Sequence, residues 1–170
     1  MADTATPTRN RDLAASAGRA LLERGWRLVT AESCTGGGLA AALTDIPGSS
    51  QWFERGYVTY SNLAKQQDLG VGAGTLETHG AVSSAVVLEM AAGALRASGA
   101  DLALSVSGVA GPDGGTAAKP VGLVWFALAQ RAGPGRSERC QFPGDRAAVR
   151  LAAVHRALEL INAAIARPAS

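Results

Sequence analysis

"WRLVTAESCTGGGLAAALT", residues Trp26 to Thr44, holds a strand, a turn and a helix in nineteen positions, and its reading decides the fold. Trp26 to Glu32 reads as a short strand. Ser33, Cys34 and Thr35 form a tight turn, and Gly36 to Thr44 reads as a helix stopped by "IPGSS". The three glycines that open this helix are poor helix formers, so packing or another demand keeps them there.

The same alternation continues outward. On the N-terminal side, residues 1–8 read as a disordered tail. Arg9 to Glu23 then carries Leu13, Ala17, Ala20 and Leu21 at helical spacing, and Gly25 ends the run. On the C-terminal side, "GYVTYS" at 56–61 reads as a strand and Asn62 to Leu69 as a short helix. The stretch "GVGAGTLETHG" at 70–80 reads as a loop, with glycine at 70, 72, 74 and 80. Ser83 or Ser84 caps a helix running to Ser98, with Val86, Val87, Met90, Ala94 and Leu95 inward. "DLALSVS" at 101–107 is a strand with Leu102, Leu104 and Val106 on one face. "VGLVWFALAQ" at 121–130 is apolar enough to be buried on both faces. Glu138 to Phe142 is a shorter strand, and Asp145 caps a last helix to about Ile165. Interleaved strands and helices predict an α/β protein. The expected form is a three-layer α/β/α sandwich on a mixed sheet of about five to six strands, one domain over residues 9–166.

Composition narrows the partners. The chain has 170 residues, 47% hydrophobic and 18% charged, with a net charge of +2. That suffices for a sizeable core and is not the balance of a disordered chain. No apolar run reaches the length of a membrane span, and the first dozen residues lack the apolar core of a secretory signal, so the expected location is the cytoplasm. Aromatics at 5% and no basic stripe argue against nucleic acid as a partner. Lysine occurs only as Lys65 and Lys119, and unlike arginine a buried lysine can lose its proton. Cys34 and Cys140 lack metal-ligand spacing. His155 reads as a residue of packing or surface contact, and His79 sits in a loop before a helix; no metal site is expected.

The phosphate-loop, dinucleotide, G-x-S-x-G and S-x-x-K signatures are absent. Three polar clusters remain. In "ESCTGGG", 32–38, a serine at a strand end precedes a glycine-rich helix start, which suits a phosphate or the oxyanion of an acyl transfer; the plainer reading is that Ser33 or Thr35 is an N-cap. In "YSNLAK", Tyr60 to Lys65, a lysine follows a strand-tip tyrosine; it is a useful base if desolvated, and otherwise an exposed residue of an amphipathic helix. "SGVAGPDGGTAAKPVG", 107–122, is rich in backbone N–H groups suited to an anion, and long for a mere connection.

Taken in order, "AESCTGG", "GYVTYSN..K", "HGAVS", "SGVAGPDGGT..KPVG" and "F.GDR..VR" resemble the C-terminal domain family of the competence/damage-inducible protein CinA, over about residues 10 to 165. The resemblance implies an anticodon-binding-like α/β/α fold in its stand-alone form, without the N-terminal domain of larger members. It implies hydrolysis of the carboxamide of nicotinamide mononucleotide to nicotinate mononucleotide and ammonia, with no metal or cofactor, and a homodimer. The residues it assigns are Ser33 as nucleophile, Lys65 as base and Tyr60 in assistance. Chemistry then places the oxyanion at N–H groups of Thr35, Gly36 and Gly37. The phosphate falls to Ser107, Gly108, Gly111, Gly114, Gly115 and Thr116, with Lys119 or Arg146 adding charge. Cys34 is the rival nucleophile. The competing functions are a non-catalytic pyridine-nucleotide-binding module linked to competence or DNA damage, and an amidase for another small amide.

Overall fold

The computed structural model describes residues 5–131 and 133–166. The central unit forms as expected: strand β1 (Leu28–Glu32) is buried along its whole length and leads through the 33–37 turn into helix α2 (Gly38–Thr44). The helix starts two residues later than its pattern suggests, because Gly36 and Gly37 adopt positive φ (59° and 92°). Before β1 lies helix α1 (Ala5–Arg24), which begins inside the span expected to be a tail; residues 1–4 of that span lie outside the described residues.

After α2 come β2 (Phe53–Val58), α3 (Asn62–Leu69), α4 (Ala73–His79), α5 (Ser84–Ser98), β3 (Leu102–Gly108), β4 (Leu123–Gln130), β5 (Arg136–Gln141) and α6 (Arg146–Ala166). Two expectations need correction. The 70–80 stretch is not a loop. Glu89 of α5 accepts the Gly72 N–H (2.8 Å) and the Thr75 hydroxyl (2.7 Å), so a tertiary contact caps α4 where glycine propensity argues against a helix. The strand expected at 56–61 lies three residues earlier. Ser61 instead N-caps α3, accepting the Ala64 N–H at 3.0 Å.

The five strands form one mixed sheet in the order β2-β1-β3-β4-β5. β1 runs parallel to β2 and β3, while β4 is antiparallel to β3 and β5. Helices α1, α2 and α6 pack one face over Leu102, Leu104, Val106 and Phe126. Helices α3, α4 and α5 cover the other over Val29, Ala31, Ala103 and Ala127. The result is the expected α/β/α sandwich. Among the described residues no helix is long and apolar enough to cross a membrane.

This topology locates the site. β1, β2 and β3 are parallel, so Glu32, Val58 and Gly108 end at one sheet edge, and antiparallel β4 begins at that same edge with Leu123. The three polar clusters are therefore brought together at the carboxyl ends of the parallel strands, where α/β sheets open a crevice.

Candidate active site

Ser33 is the first residue beyond β1, 8% exposed, with its N–H bonded to the Val106 carbonyl at 3.0 Å. Lys65 enters from α3 and is 1% exposed. Its Nζ lies 3.0 Å from Ser33 Oγ, 2.7 Å from the Thr59 carbonyl and 3.3 Å from the Tyr60 carbonyl. A neutral amine has two N–H donors and one lone pair. The two carbonyls accept the donors, which leaves the lone pair for the serine hydroxyl. Burial lowers the Lys65 pKa from the ordinary lysine value, which favours this neutral form. The plainer reading of Lys65, an exposed residue on an amphipathic helix, is thereby excluded.

Cys34, the rival nucleophile, is 4% exposed. Burial is the main cause that pushes its thiol up to about 12, so it is a thiol and not a thiolate at neutral pH.

Tyr60 reaches the pair with its main chain only. Its hydroxyl accepts from Arg146 Nη2 at 2.8 Å, and Arg146 Nη1 donates to the Gly111 carbonyl at 3.0 Å. One turn further along α6, Arg150 donates to the carbonyls of Cys34 (3.2 Å) and Thr35 (3.0 Å), bracing the turn that carries Ser33. Arg146 and Arg150 border an open cleft of about 680 Å3, with Ala110, Pro112 and Val121 on its other side. The sequence reading missed Arg150. The i, i+4 spacing from Arg146 was the signal that could have found it.

Sequence reading also missed Glu32. Its fully buried carboxylate accepts the N–H groups of Gly37 (3.1 Å), Leu39 (3.0 Å) and Ala40 (2.8 Å), occupying the N-terminus of α2. Two of the expected oxyanion donors are therefore engaged elsewhere: Gly37 by Glu32, and Gly36 by the Ser33 carbonyl at 3.0 Å. The N–H groups of Cys34 and Thr35 donate to no oxygen of the described residues. Glu32→Ala would strand the buried Leu39 N–H and strip the half-buried Gly37 and Ala40 N–H groups of their acceptor, and is expected to cost about 2 kcal/mol of stability. Urea unfolding measures this, and a loss below about 1 kcal/mol would contradict the capping role.

The expected phosphate residues are less unified. The Ser107 hydroxyl donates to the Ala81 carbonyl at 2.8 Å, and Gly108 closes β3. Gly114, Gly115 and Thr116 are exposed, and Thr116 Oγ1 accepts the Lys119 N–H at 3.0 Å. Lys119 Nζ donates to the His79 carbonyl at the end of α4, which ties the loop down there. His155 is half-buried, with Nδ1 2.7 Å from Asn10 Oδ1 and Nε2 3.6 Å from Glu159. Among the described residues no cluster of His, Cys, Asp and Glu could hold a metal ion.

Comparison with known proteins agrees with this architecture. Residues 10–165 match the CinA C-terminal domain. The chain is 59% identical over 142 residues to the nicotinamide-nucleotide amidohydrolase PncC of Enterobacter agglomerans, covering 84% of this chain and 87% of that one. It is 58% identical over 149 residues to the protein of the same name from Escherichia coli (strain K12), covering 88% and 90%. Among solved structures, the competence damage-inducible protein A of Klebsiella pneumoniae superposes with a TM-score of 0.89 at 47% identity, covering 93% of this chain and 98% of that one. The competence/damage inducible protein CihA of Agrobacterium tumefaciens gives 0.90 at 46% identity, covering 94% and 96%. With the family match spanning nearly the whole chain, this protein belongs to the CinA C-terminal domain family.

Proposed function

We propose that this protein is a nicotinamide-nucleotide amidase, which hydrolyses the carboxamide of nicotinamide mononucleotide to nicotinate mononucleotide and ammonia. The observation that carries the mechanism is the buried Lys65 amine 3.0 Å from Ser33 Oγ, with two carbonyls occupying its N–H donors. The substrate follows from the relatives, named nicotinamide-nucleotide amidohydrolases at 58–59% identity.

Lys65 takes the Ser33 proton as the oxygen attacks the carboxamide carbon. The tetrahedral oxyanion is stabilised by the N–H groups of Cys34 and Thr35, and each such donor is typically worth ~3 kcal/mol of barrier. The protonated Lys65 then gives its proton to the departing nitrogen, and ammonia leaves a nicotinoyl ester on Ser33. Water, deprotonated by Lys65, cleaves the ester and restores the serine. The dyad completes both half-reactions without a third proton carrier. The 5′-phosphate is assigned to the cleft bordered by Arg146, Arg150 and the 110–112 segment. A cytoplasmic location and a homodimer belong to the same reading.

Ammonia release from nicotinamide mononucleotide by the purified protein tests it, beside nicotinamide, nicotinamide riboside and NAD. Release from the mononucleotide in clear preference to the others is expected. Preferred release from another amide would keep the dyad and change the substrate. Binding of the mononucleotide without release from any of the four would make the protein a nucleotide-binding module.

A further inference from the structure

Four large apolar side chains stand exposed among the described residues, and three of them, Val58, Tyr60 and Leu63, fall between the end of β2 and the first turn of α3. Tyr60 is 57% exposed, yet both ends of the residue are held. Its carbonyl lies on the Lys65 amine and its hydroxyl accepts from Arg146, which is itself tied to the Gly111 carbonyl. An exposed tyrosine ordinarily rotates freely, whereas this one holds a ring face at a set position. Its phenolic oxygen is spent on Arg146 and makes no hydrogen bond to Ser33 or to the Lys65 amine.

We propose that Tyr60 serves the reaction through its ring and not its hydroxyl: the face is the platform for the cationic pyridinium ring of the substrate, and Arg146 is the positioning residue that orients it. This rests on the function proposed above. The pyridine nitrogen of nicotinamide mononucleotide is bonded to ribose and makes the flat ring positively charged. An aromatic face attracts such a cation, and ring stacking adds dispersion. The same placement serves the chemistry. The Tyr60 main chain touches the amine that Ser33 touches, so a pyridinium lying on this residue carries its carboxamide close to Ser33 Oγ.

The platform predicts a preference for the cationic ring over the uncharged dihydropyridine of reduced nicotinamide mononucleotide. Calorimetric titration of both nucleotides into Ser33→Ala and into Ser33→Ala/Tyr60→Leu reads this without turnover. The oxidised form is expected to bind about tenfold more tightly to the first variant, with the preference lost in the second. In the otherwise native enzyme, Tyr60→Leu should raise KM about tenfold and Tyr60→Phe about threefold, the latter through the lost Arg146 tether. In neither should the rising limb of the pH profile move, and thermal unfolding of each variant checks that the fold is kept. A Tyr60→Phe enzyme whose kcat falls about a hundredfold at unchanged KM would overturn the proposal and make the hydroxyl a proton carrier. A persisting preference in the leucine double variant would overturn it as well. Normal binding preference with no ammonia release from the native enzyme would spare the platform and sink the amidase reading; no binding of either nucleotide sinks both.

Discussion

Ser33→Ala should lower kcat for ammonia release by about 10^4-fold or more, the scale seen when a serine nucleophile is removed from a serine hydrolase. The alanine keeps the turn, because Ser33 is anchored by its main chain, N–H on the Val106 carbonyl and carbonyl under the Gly36 N–H. What disappears is the oxygen beside the Lys65 amine. Cys34→Ala is the paired control and should keep at least about a tenth of the activity, since no role in bond making falls to the thiol. With burial pushing its thiol up to about 12, Cys34 stays protonated at neutral pH. Its neighbours also hold it in the core, with 4% exposure. A reversed result, with Cys34→Ala inactive and Ser33→Ala active, would move the nucleophile by one residue. Trapping the ester separates a nucleophile from a mere hydrogen-bonding serine: rapid quenching and mass analysis of native protein should find a nicotinoyl adduct on the peptide that contains Ser33.

Lys65→Arg and Lys65→Met are expected to lose about 10^2- to 10^4-fold in kcat, the usual scale of general-base removal. Arginine retains the charge and cannot surrender the proton. It must also fit a larger head into a site with 1% exposure, between two carbonyls that suit a compact amine. Methionine retains the stem and removes the base. A working arginine variant would end the assignment of Lys65 as base.

The pH dependence follows with a definite sign. Because burial lowers the Lys65 pKa in the folded protein, kcat/KM should rise with pH through a value below the ordinary 10.5. Between the folded pKa and 10.5 the unfolded chain binds more protons at this position, so stability rises with pH across that window. Below the folded pKa the amine is protonated in both states, and the cost of burying its charge is fully present. Urea midpoints measured across this range should therefore show a rising contribution in the native protein, and Lys65→Met should abolish it.

Much of the fold is legible in the chain. Periodicity marks the buried strand at 121–130, the apolar face of the 84–98 helix and the alternation of Leu102, Leu104 and Val106, because burial on a helix stripe or sheet face is a local, repeating demand. The residues that failed to read locally depend on distant partners. The start of α4 is held by Glu89 on the next helix, which takes the Gly72 N–H and the Thr75 hydroxyl. Ser61 reads as strand by composition and becomes an N-cap once the β2–α3 passage is in place. Glu32 looks like any acid at a strand end, until its carboxylate is seen closing the N-terminus of α2.

The site divides along the same line. Sequence alone determined the candidate chemistry: a serine at a strand end before glycines, and one of two lysines shortly after a tyrosine, in the motif order of one family. It determined the α/β layering as well, because the hydrophobic period belongs to each segment separately. Only the tertiary structure decided that Lys65 is buried and that its amine faces Ser33 across thirty-two positions of chain. It also decided that Cys34 is masked, that Glu32 takes the helix end expected to hold the oxyanion, and that Tyr60 turns its hydroxyl to Arg146. Proton affinity and orientation depend on what surrounds a group in space. The parallel pairing of β1 with β2 and β3 assembles those surroundings from segments that are far apart along the chain.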